Sequence, residues 1–315
     1  MLLENTINTL LYVVSFVTIW YGAGLIVSAA TKFSKKLRLS AFAFSFVFLG
    51  LLTSIPEFSV GMQAVADNDP EIFIGNLLGG NIVIFLFIIP MLAIFGKGIN
   101  LKNELDKKTL LAVLGVIVAP AVFVLDNHIN AYEGGILIVL YIALLYFVER
   151  KNGIFDKDNK ELLNAKAYSL QDVIKLILGI GLVFLSSSII VDKTIYFAGI
   201  FNITTFYISL IVIALGTNLP ELSLAIRSVL SGRREVAMGD YLGSSAVNTF
   251  LFGLFSLLHG REIFTVNNFV ITFIFITAAL VLFYMFFNTK KFISRNNGFV
   301  LLGIYGLFVL FEFLQ

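Results

Sequence analysis

Thr53-Ser54-Ile55-Pro56-Glu57 recurs as Thr217-Asn218-Leu219-Pro220-Glu221, so each of two apolar stretches carries a proline and a glutamate, 164 residues apart. A carboxylate in the hydrocarbon of a bilayer costs roughly 3 kcal/mol unless a cation or proton compensates it, and an ionisable residue there marks a functional site by default. Two matched carboxylates point to one shared site.

The surrounding chain is that of a membrane protein. Hydrophobic residues make up 58% of the 315 and charged residues 13%, with a mean hydropathy of +0.94, which excludes an ordinary soluble domain. Apolar runs of about 20 residues, enough to cross a bilayer, fall near 8–31, 40–66, 71–96, 108–125, 131–148, 170–190, 204–230, 235–258, 267–287 and 298–314. Each run is continuously apolar rather than alternating, so the spans are helices and not barrel strands. The first lacks a basic leader and is read as a retained helix rather than a signal peptide. Without cysteine there is neither a disulfide framework nor a thiolate metal site.

The basic residues orient these ten spans. With the N-terminus outside, inner connections hold Lys32, Lys35, Lys36 and Arg38; Lys97, Lys102, Lys107 and Lys108; six between Arg150 and Lys175; Arg227, Arg233 and Arg234; and Lys290, Lys291 and Arg295. Only Lys193 and Arg261 remain for the outer side, where Asp67, Asp69, Glu71, Asp126, Glu133 and Glu262 lie. The positive-inside rule therefore predicts a multi-pass cell-membrane protein with both termini extracytoplasmic.

At the same offset of 164, Ser40 to Gly96 aligns with Thr204 to Gly260 without a gap. Gly75, Gly79 and Gly96 meet Gly239, Gly243 and Gly260, and Ser45, Ser59 and Glu71 meet Ser209, Ser223 and Glu235. Apolar composition does not readily align such residues. Five spans separate equivalent helices, an odd number, so the second copy is inverted relative to the first, as in many secondary transporters. The predicted fold is all-α integral membrane, ten transmembrane helices as two inverted five-helix repeats: residues 1–148, a cytoplasmic linker 149–169, and residues 170–315.

Within each motif the threonine and glutamate are four apart and share a helix face. Pro56 and Pro220 lack a backbone N–H, leaving the carbonyls of Leu52 and Gly216 without a helical partner. Hydroxyl, carboxylate and free carbonyl are hard oxygen ligands of the kind calcium and magnesium require and sodium accepts. One proline kink is as readily structural as functional; two, each followed by glutamate, favour a site. The next helix of each half contains Gly75-Asn76-Leu77-Leu78-Gly79-Gly80-Asn81 or Gly239-Asp240-Tyr241-Leu242-Gly243-Ser244-Ser245. Glycines four apart serve close helix contact, whereas Asn76, Asn81, Asp240, Ser244 and Asn248 need polar partners at membrane depth.

On these motifs the chain resembles the calcium/cation antiporter superfamily, in particular its prokaryotic sodium/calcium exchanger-like members. Their pattern pairs Gly-Thr-Ser-Leu-Pro-Glu on one helix with Gly-Asn-x-x-Gly-Ser-Asn on the next, and the resemblance covers essentially the whole chain. It implies antiport of Ca2+, or another divalent cation, for Na+, or for H+, with no cofactor and no enzymatic reaction. The implied ion ligands are Glu57 and Glu221, Thr53 and Thr217, Ser54 and Asn218, Ser244 and Asn248, and the carbonyls of Gly50 and Ala214. It also implies that the helices around Trp20 to Lys36 and Phe184 to Tyr196 slide or rock against the core that holds the site. The expected partners are the lipid bilayer and the transported ions; no nucleic acid is expected, and the chain is read as a monomer.

Departures from the pattern matter as well. Gly80 stands where a serine hydroxyl is expected, and Ile84 stands opposite the polar Asn248. Asp240 replaces an asparagine and adds a carboxylate that either joins the site, lines an entrance, or serves as a cap or in packing, the last two being slightly favoured. The counter-ion is accordingly open between sodium in reduced number and protons, and a non-transporting relative is a further alternative. A membrane-embedded enzyme is disfavoured, since no HExxH or Ser/His/Asp set is present and His128 and His259 fall at outer loops, where solvated histidines are expected.

Overall fold

The computed structural model describes residues 2–34, 45–100, 106–152, 170–231, 234–265, 267–290 and 292–313. Most of the expected linker, the beginning of the second span and Lys35 and Lys36 lie outside the described residues. The continuously apolar runs form helices, as their backbone groups require in the absence of water. They are α1 (Leu2–Ser34), α2 (Ser45–Thr53), α3 (Ile55–Ala66), α4 (Pro70–Phe95), α5 (Lys107–Phe123), α6 (Ala131–Asn152), α7 (Leu170–Phe201), α8 (Thr205–Thr217), α9 (Leu219–Ser231), α10 (Arg234–His259), α11 (Val270–Lys290) and α12 (Arg295–Phe313). Among the described residues six helices are long and apolar enough to cross a membrane, or eight if α2 with α3 and α8 with α9 each make one bent span.

Those two pairs are the motif helices. The chain bends by 45° between α2 and α3 and by 40° between α8 and α9. Each bend follows a π-helical turn, Ser45–Leu49 in α2 and Ser209–Ile213 in α8, and the two turns are related by the 164-residue offset. The offset also governs the pairing of elements. Helix α10 lies against α2 and α6, as α4 lies against α8 and α12; α3 packs on α7, and α9 on α1. Each of these contacts joins one half of the chain to the other.

The correspondence reaches beyond Gly96. Strand β1 (Ile99–Asn100) pairs antiparallel with β4 (Phe292–Ile293), and β2 (His128–Ile129) with β3 (Ile263–Phe264). Ile99 opposes Ile293 while Ile263 opposes Ile129, so replacing each residue of one pairing by its mate 164 positions away, in the other half, returns the other pairing. The following helices begin alike as well. Asn130 and Glu133 exchange hydrogen bonds in a capping box at the start of α6 (2.9 and 3.0 Å), and their equivalents Ser294 and Asn297 bond to each other at the start of α12.

Helices α4 and α10 form the centre and are mostly buried, whereas α6 is mostly exposed. Two glycines permit this crossing. A Cβ on Gly79 would lie 2.0 Å from the Leu210 carbonyl oxygen, and one on Gly243 would lie 2.0 Å from that of Phe46. The packing role expected for these glycines is therefore the observed one. Helices α1 and α7 lie along one another outside the bent pairs, with Trp20 on an exposed face.

Candidate functional site

The bends create the site. Thr53 ends α2, Ser54 forms the break, and Pro56 and Glu57 occupy the first turn of α3; Thr217, Asn218, Pro220 and Glu221 repeat the arrangement across α8 and α9. Proline is tolerated in a first turn because its missing N–H has no intrahelical acceptor there. The same turn presents unpaired N–H groups and the positive end of the helix dipole, which favours a carboxylate. The expected kink is thus a bend between two helices, crossed by the Ser54 N–H to the Gly50 carbonyl and the Asn218 N–H to that of Ala214, and the new helix start offsets part of the cost of burying each glutamate.

All the predicted side chains are buried. Thr53, Ser54, Glu57, Thr217, Asn218, Glu221, Asp240, Ser244 and Asn248 are each at most 2% exposed. Thr53 Oγ1 lies 3.0 Å from Asp240 Oδ1 and 3.0 Å from the Leu49 carbonyl, with one proton to serve both. Its equivalent Thr217 donates to Asn76 Oδ1 at 3.0 Å. Each threonine thus bonds the central helix of the opposite half, and Asp240 and Asn76 are themselves related by the offset. The threonines also lie beside the opposite glutamates, Thr217 by Glu57 and Thr53 by Glu221. Glu57, Glu221 and Asp240 are close enough for their charges to act on one another.

Six oxygens in this cluster are buried without a hydrogen-bond partner: Glu57 Oε2, both carboxylate oxygens of Glu221, Asp240 Oδ2, Asn218 Oδ1 and Asn248 Oδ1. An orphaned buried acceptor costs about 1–3 kcal/mol, more when charged. Six together, all hard oxygens, form a donor set suited to a cation. Among the described residues no three His, Cys, Asp or Glu side chains gather closely enough to hold one metal ion. A metal here would therefore need amide, hydroxyl or carbonyl oxygens beside the carboxylates.

Other predicted ligands have defined partners. The Gly50 carbonyl accepts from Ser54 Oγ at 2.8 Å, and that of Ala214 from Asn218 Nδ2 at 2.8 Å. The residues at the breaks thus anchor these two carbonyls. Asn248 Nδ2 donates to Asn81 Oδ1 at 3.0 Å. Ser244 Oγ reaches only the Tyr241 carbonyl of its own helix, at 3.4 Å, although its backbone N lies 2.7 Å from where a Cβ on Gly50 would stand. A Cβ on Gly80 would come within 3.1 Å of Asn218 Nδ2 and 3.2 Å of Asn248 Nδ2, so the absent hydroxyl faces the cluster. Asp240 does not cap its helix: it is six residues inside α10 and fully buried.

Asn76 and Tyr241 belong to the same cluster, Tyr241 donating to the Glu221 carbonyl at 3.3 Å. Asn76 is legible in the sequence as a polar side chain at membrane depth and as the repeat equivalent of Asp240; no signal in the sequence singles out the tyrosine. His128 is partly exposed, in the short strand β2 rather than in an irregular loop. It pairs with Phe264 across β2 and β3, with its ring 4.8 Å away and Nε2 3.5 Å from Glu262 Oε2.

Buried, unpartnered oxygens between two bent helix pairs, within a bundle of membrane-length helices, make a candidate cation site in a membrane protein. The chain belongs to the sodium/calcium exchanger protein family, which it matches over residues 7–149 and 172–314. The sodium/calcium exchanger MaX1 of Methanosarcina acetivorans is 25% identical, with 98% of this chain and 99% of that protein covered. The inner membrane protein YrbG of Escherichia coli is 25% identical over 81% of each chain. A solved structure of the sodium-calcium exchanger NCX_Mj, soaked with 2.5 mM Na+ and 0.1 mM Sr2+, superposes with a TM-score of 0.71 at 21% identity, covering 97% of this chain and 98% of that one. That last likeness is one of fold. Family membership makes the protein a multi-pass membrane transport protein rather than an enzyme.

Proposed function

We propose that the protein exchanges Ca2+, or another divalent cation, for Na+ across the cell membrane by alternating access at a midplane site between Glu57 and Glu221. The observation that carries this reading is the set of six unpartnered buried oxygens, with both glutamates at matched helix breaks. Residues 1–148 and 170–315 act as two inverted five-helix repeats joined by a cytoplasmic linker at 149–169, with both termini outside. The 164-residue correspondence of bends, strand pairs and caps supports this arrangement.

Two glutamates neutralise one divalent ion, and Asp240 leaves a further charge for a monovalent ion or a proton. Calcium and the counter-ions compete for the same carboxylates. Only the charge-compensated site changes its exposure, because an uncompensated carboxylate is too costly to carry across hydrocarbon. The ligands are Glu57, Glu221, Thr53, Thr217, Asn218, Asn248 and Asp240, with the carbonyls of Gly50 and Ala214 positioned by Ser54 and Asn218. Ser244 completes the second half. Helices α1 and α7, which flank both bent pairs, are the moving elements.

A proton-coupled variant of the exchange is favoured by one observation. Ile84 is buried and apolar where the second half has Asn248, which removes a sodium ligand. In reconstituted vesicles, an outward sodium gradient should drive calcium uptake, and Glu57→Gln and Glu221→Gln should each reduce it to the level of protein-free vesicles. Undiminished uptake in both variants overturns the reading, and a proton gradient imposed alone identifies the coupling ion. Calcium-dependent thermal stabilisation of the purified protein, lost in Glu57→Gln, distinguishes a live site from a relic.

A further inference from the structure

One buried carboxylate has no role in the exchange site. Glu312, near the end of α12, is 3% exposed; its Oε1 accepts from Thr272 Oγ1 at 2.8 Å, and its Oε2 has no partner. Its equivalent in the first half is Val148, fully buried and apolar, so the repeat architecture does not require an acid there. Like Glu57, a carboxylate placed among apolar helices calls for a compensating charge.

Glu312 lines a cavity of about 770 Å3 whose walls also include Tyr12, Phe197, Phe201, Tyr207 and Ile208. Helices α1 and α7 supply one side of it, and α8 and α12 the other. The volume suits a ligand of drug size or a lipid segment. No Lys, Arg or His is among the described residues lining it. An inorganic divalent ion wants six or more oxygens, and walls so largely of hydrocarbon and aromatic rings do not provide them. Aromatic faces beside a single carboxylate instead suit an organic ammonium, held by cation–π attraction and one charge-assisted hydrogen bond.

We propose that this cavity binds amphipathic ammonium compounds, with the hydrocarbon portion among Tyr12, Phe197, Phe201, Tyr207 and Ile208 and the nitrogen on Glu312. The inference is independent of the exchange reading, because it requires neither Glu57 nor Glu221. The same chemistry is offered by the ethanolamine headgroup of a phospholipid and by a free long-chain amine.

The test uses the full chain in phosphatidylglycerol nanodiscs with a photoreactive dodecylamine, and with a dodecyl sulfate analogue carrying the same photoreactive group. The amine should label the 197–212 segment, and labelling should fall about tenfold, a change of about 1.4 kcal/mol, in Glu312→Gln and for the sulfate analogue. Ile203→Trp, which adds bulk at an exposed residue of the cavity wall, should have the same effect with the carboxylate intact. Thr272→Val, which removes only the hydrogen bond within the protein, should keep most of the labelling. Equal labelling of wild type and Glu312→Gln, or equal labelling by amine and sulfate, overturns the proposal. Native mass spectrometry from discs containing phosphatidylethanolamine then separates the sources. Lipid retained by wild type but not by Glu312→Gln supports the headgroup, and amine labelling without lipid retention supports a free amphiphile.

Discussion

The first and second halves of the bundle agree closely in backbone packing, while the two halves of the site they enclose do not. Gly79 meets the Leu210 carbonyl as Gly243 meets that of Phe46, each so closely that an added Cβ would stand 2.0 Å from the oxygen, and the two strand pairings interconvert under one offset. Facing the centre, however, Asn76 is answered by Asp240, Gly80 by Ser244 and Ile84 by Asn248. Where backbone touches backbone, almost any added atom collides, so both halves keep the same small residue. Side chains that face a shared cluster are constrained only by the total charge and oxygen supply, which an asymmetric pair can meet as well as a symmetric one.

The largest expected effect tests the symmetric part of this comparison. Gly243→Ala and Gly79→Ala each drive a methyl into a backbone carbonyl that cannot move without shifting a helix. Both should lower stability by about 3 kcal/mol, at the upper end for overpacking. Gly115→Ala and Gly303→Ala, with nothing within 4 Å of the new Cβ, should be neutral or stabilising, as alanine favours helix. Thermal unfolding in detergent measures all four. A tolerant Gly243→Ala beside an intolerant Gly79→Ala would show that the halves differ in packing too.

Removing the acidic asymmetry should have the next largest effect. Asp240→Asn makes the second half resemble the first and leaves an amide oxygen to accept from Thr53, as Asn76 accepts from Thr217. Calcium affinity by titration calorimetry should fall about tenfold, or 1.4 kcal/mol, with little loss of stability. An unchanged affinity would assign Asp240 to packing alone. Because Thr53 bonds Asp240 directly, Thr53→Val combined with Asp240→Asn should be less than additive.

Much of this was legible in the sequence because it follows from chemistry that tolerates few substitutes. Pro56-Glu57 and Pro220-Glu221 could be placed at helix interruptions, and the rare glycines aligned the halves. The character of each interruption was not legible. A proline predicts a lost hydrogen bond, whereas the Gly50 carbonyl at the break accepts from both the N–H and the Oγ of Ser54, a choice among local partners that the sequence does not specify. Asp240 was ambiguous for a related reason. An acid shortly after a basic loop reads equally as a cap, and only the observed start of α10 at Arg234 puts it inside the helix. Nor could composition reveal that each threonine serves the central helix of the opposite half, since that contact spans 187 residues for Thr53 and 141 for Thr217.

Restoring the missing groups of the first half should have a smaller effect. Gly80→Ser combined with Ile84→Asn gives the first half the hydroxyl and amide of the second. The new Cβ at position 80 requires Asn218 and Asn248 to yield by a few tenths of an ångström, which amide side chains can do. Sodium dependence of calcium uptake should steepen, with the half-saturating sodium concentration falling about threefold, roughly 0.6 kcal/mol. If the sodium response is unaltered and a proton gradient still drives uptake, the asymmetry is a feature of proton coupling.

The smallest difference expected between the halves, a few tenths of a kcal/mol, comes at the helix starts, where they are alike in position and unlike in detail. Asn130 and Glu133 bond reciprocally at α6, the Asn130 side chain accepting from the Glu133 N–H and the Glu133 carboxylate from the Asn130 N–H. At α12 Ser294 accepts from the Asn297 N–H at 3.2 Å, and the two side chains bond each other, so the second bond is spent between side chains rather than on the cap's own N–H. Asn130→Ala and Ser294→Ala should therefore each cost about 1 kcal/mol, the usual value of a cap acceptor. Glu133→Ala should cost more than Asn297→Ala by a few tenths, because only the glutamate satisfies a backbone donor. Equal costs for the last two variants, measured by chemical unfolding, would mean that water replaces the Glu133 carboxylate at the Asn130 N–H, as expected if that end of α6 is solvated.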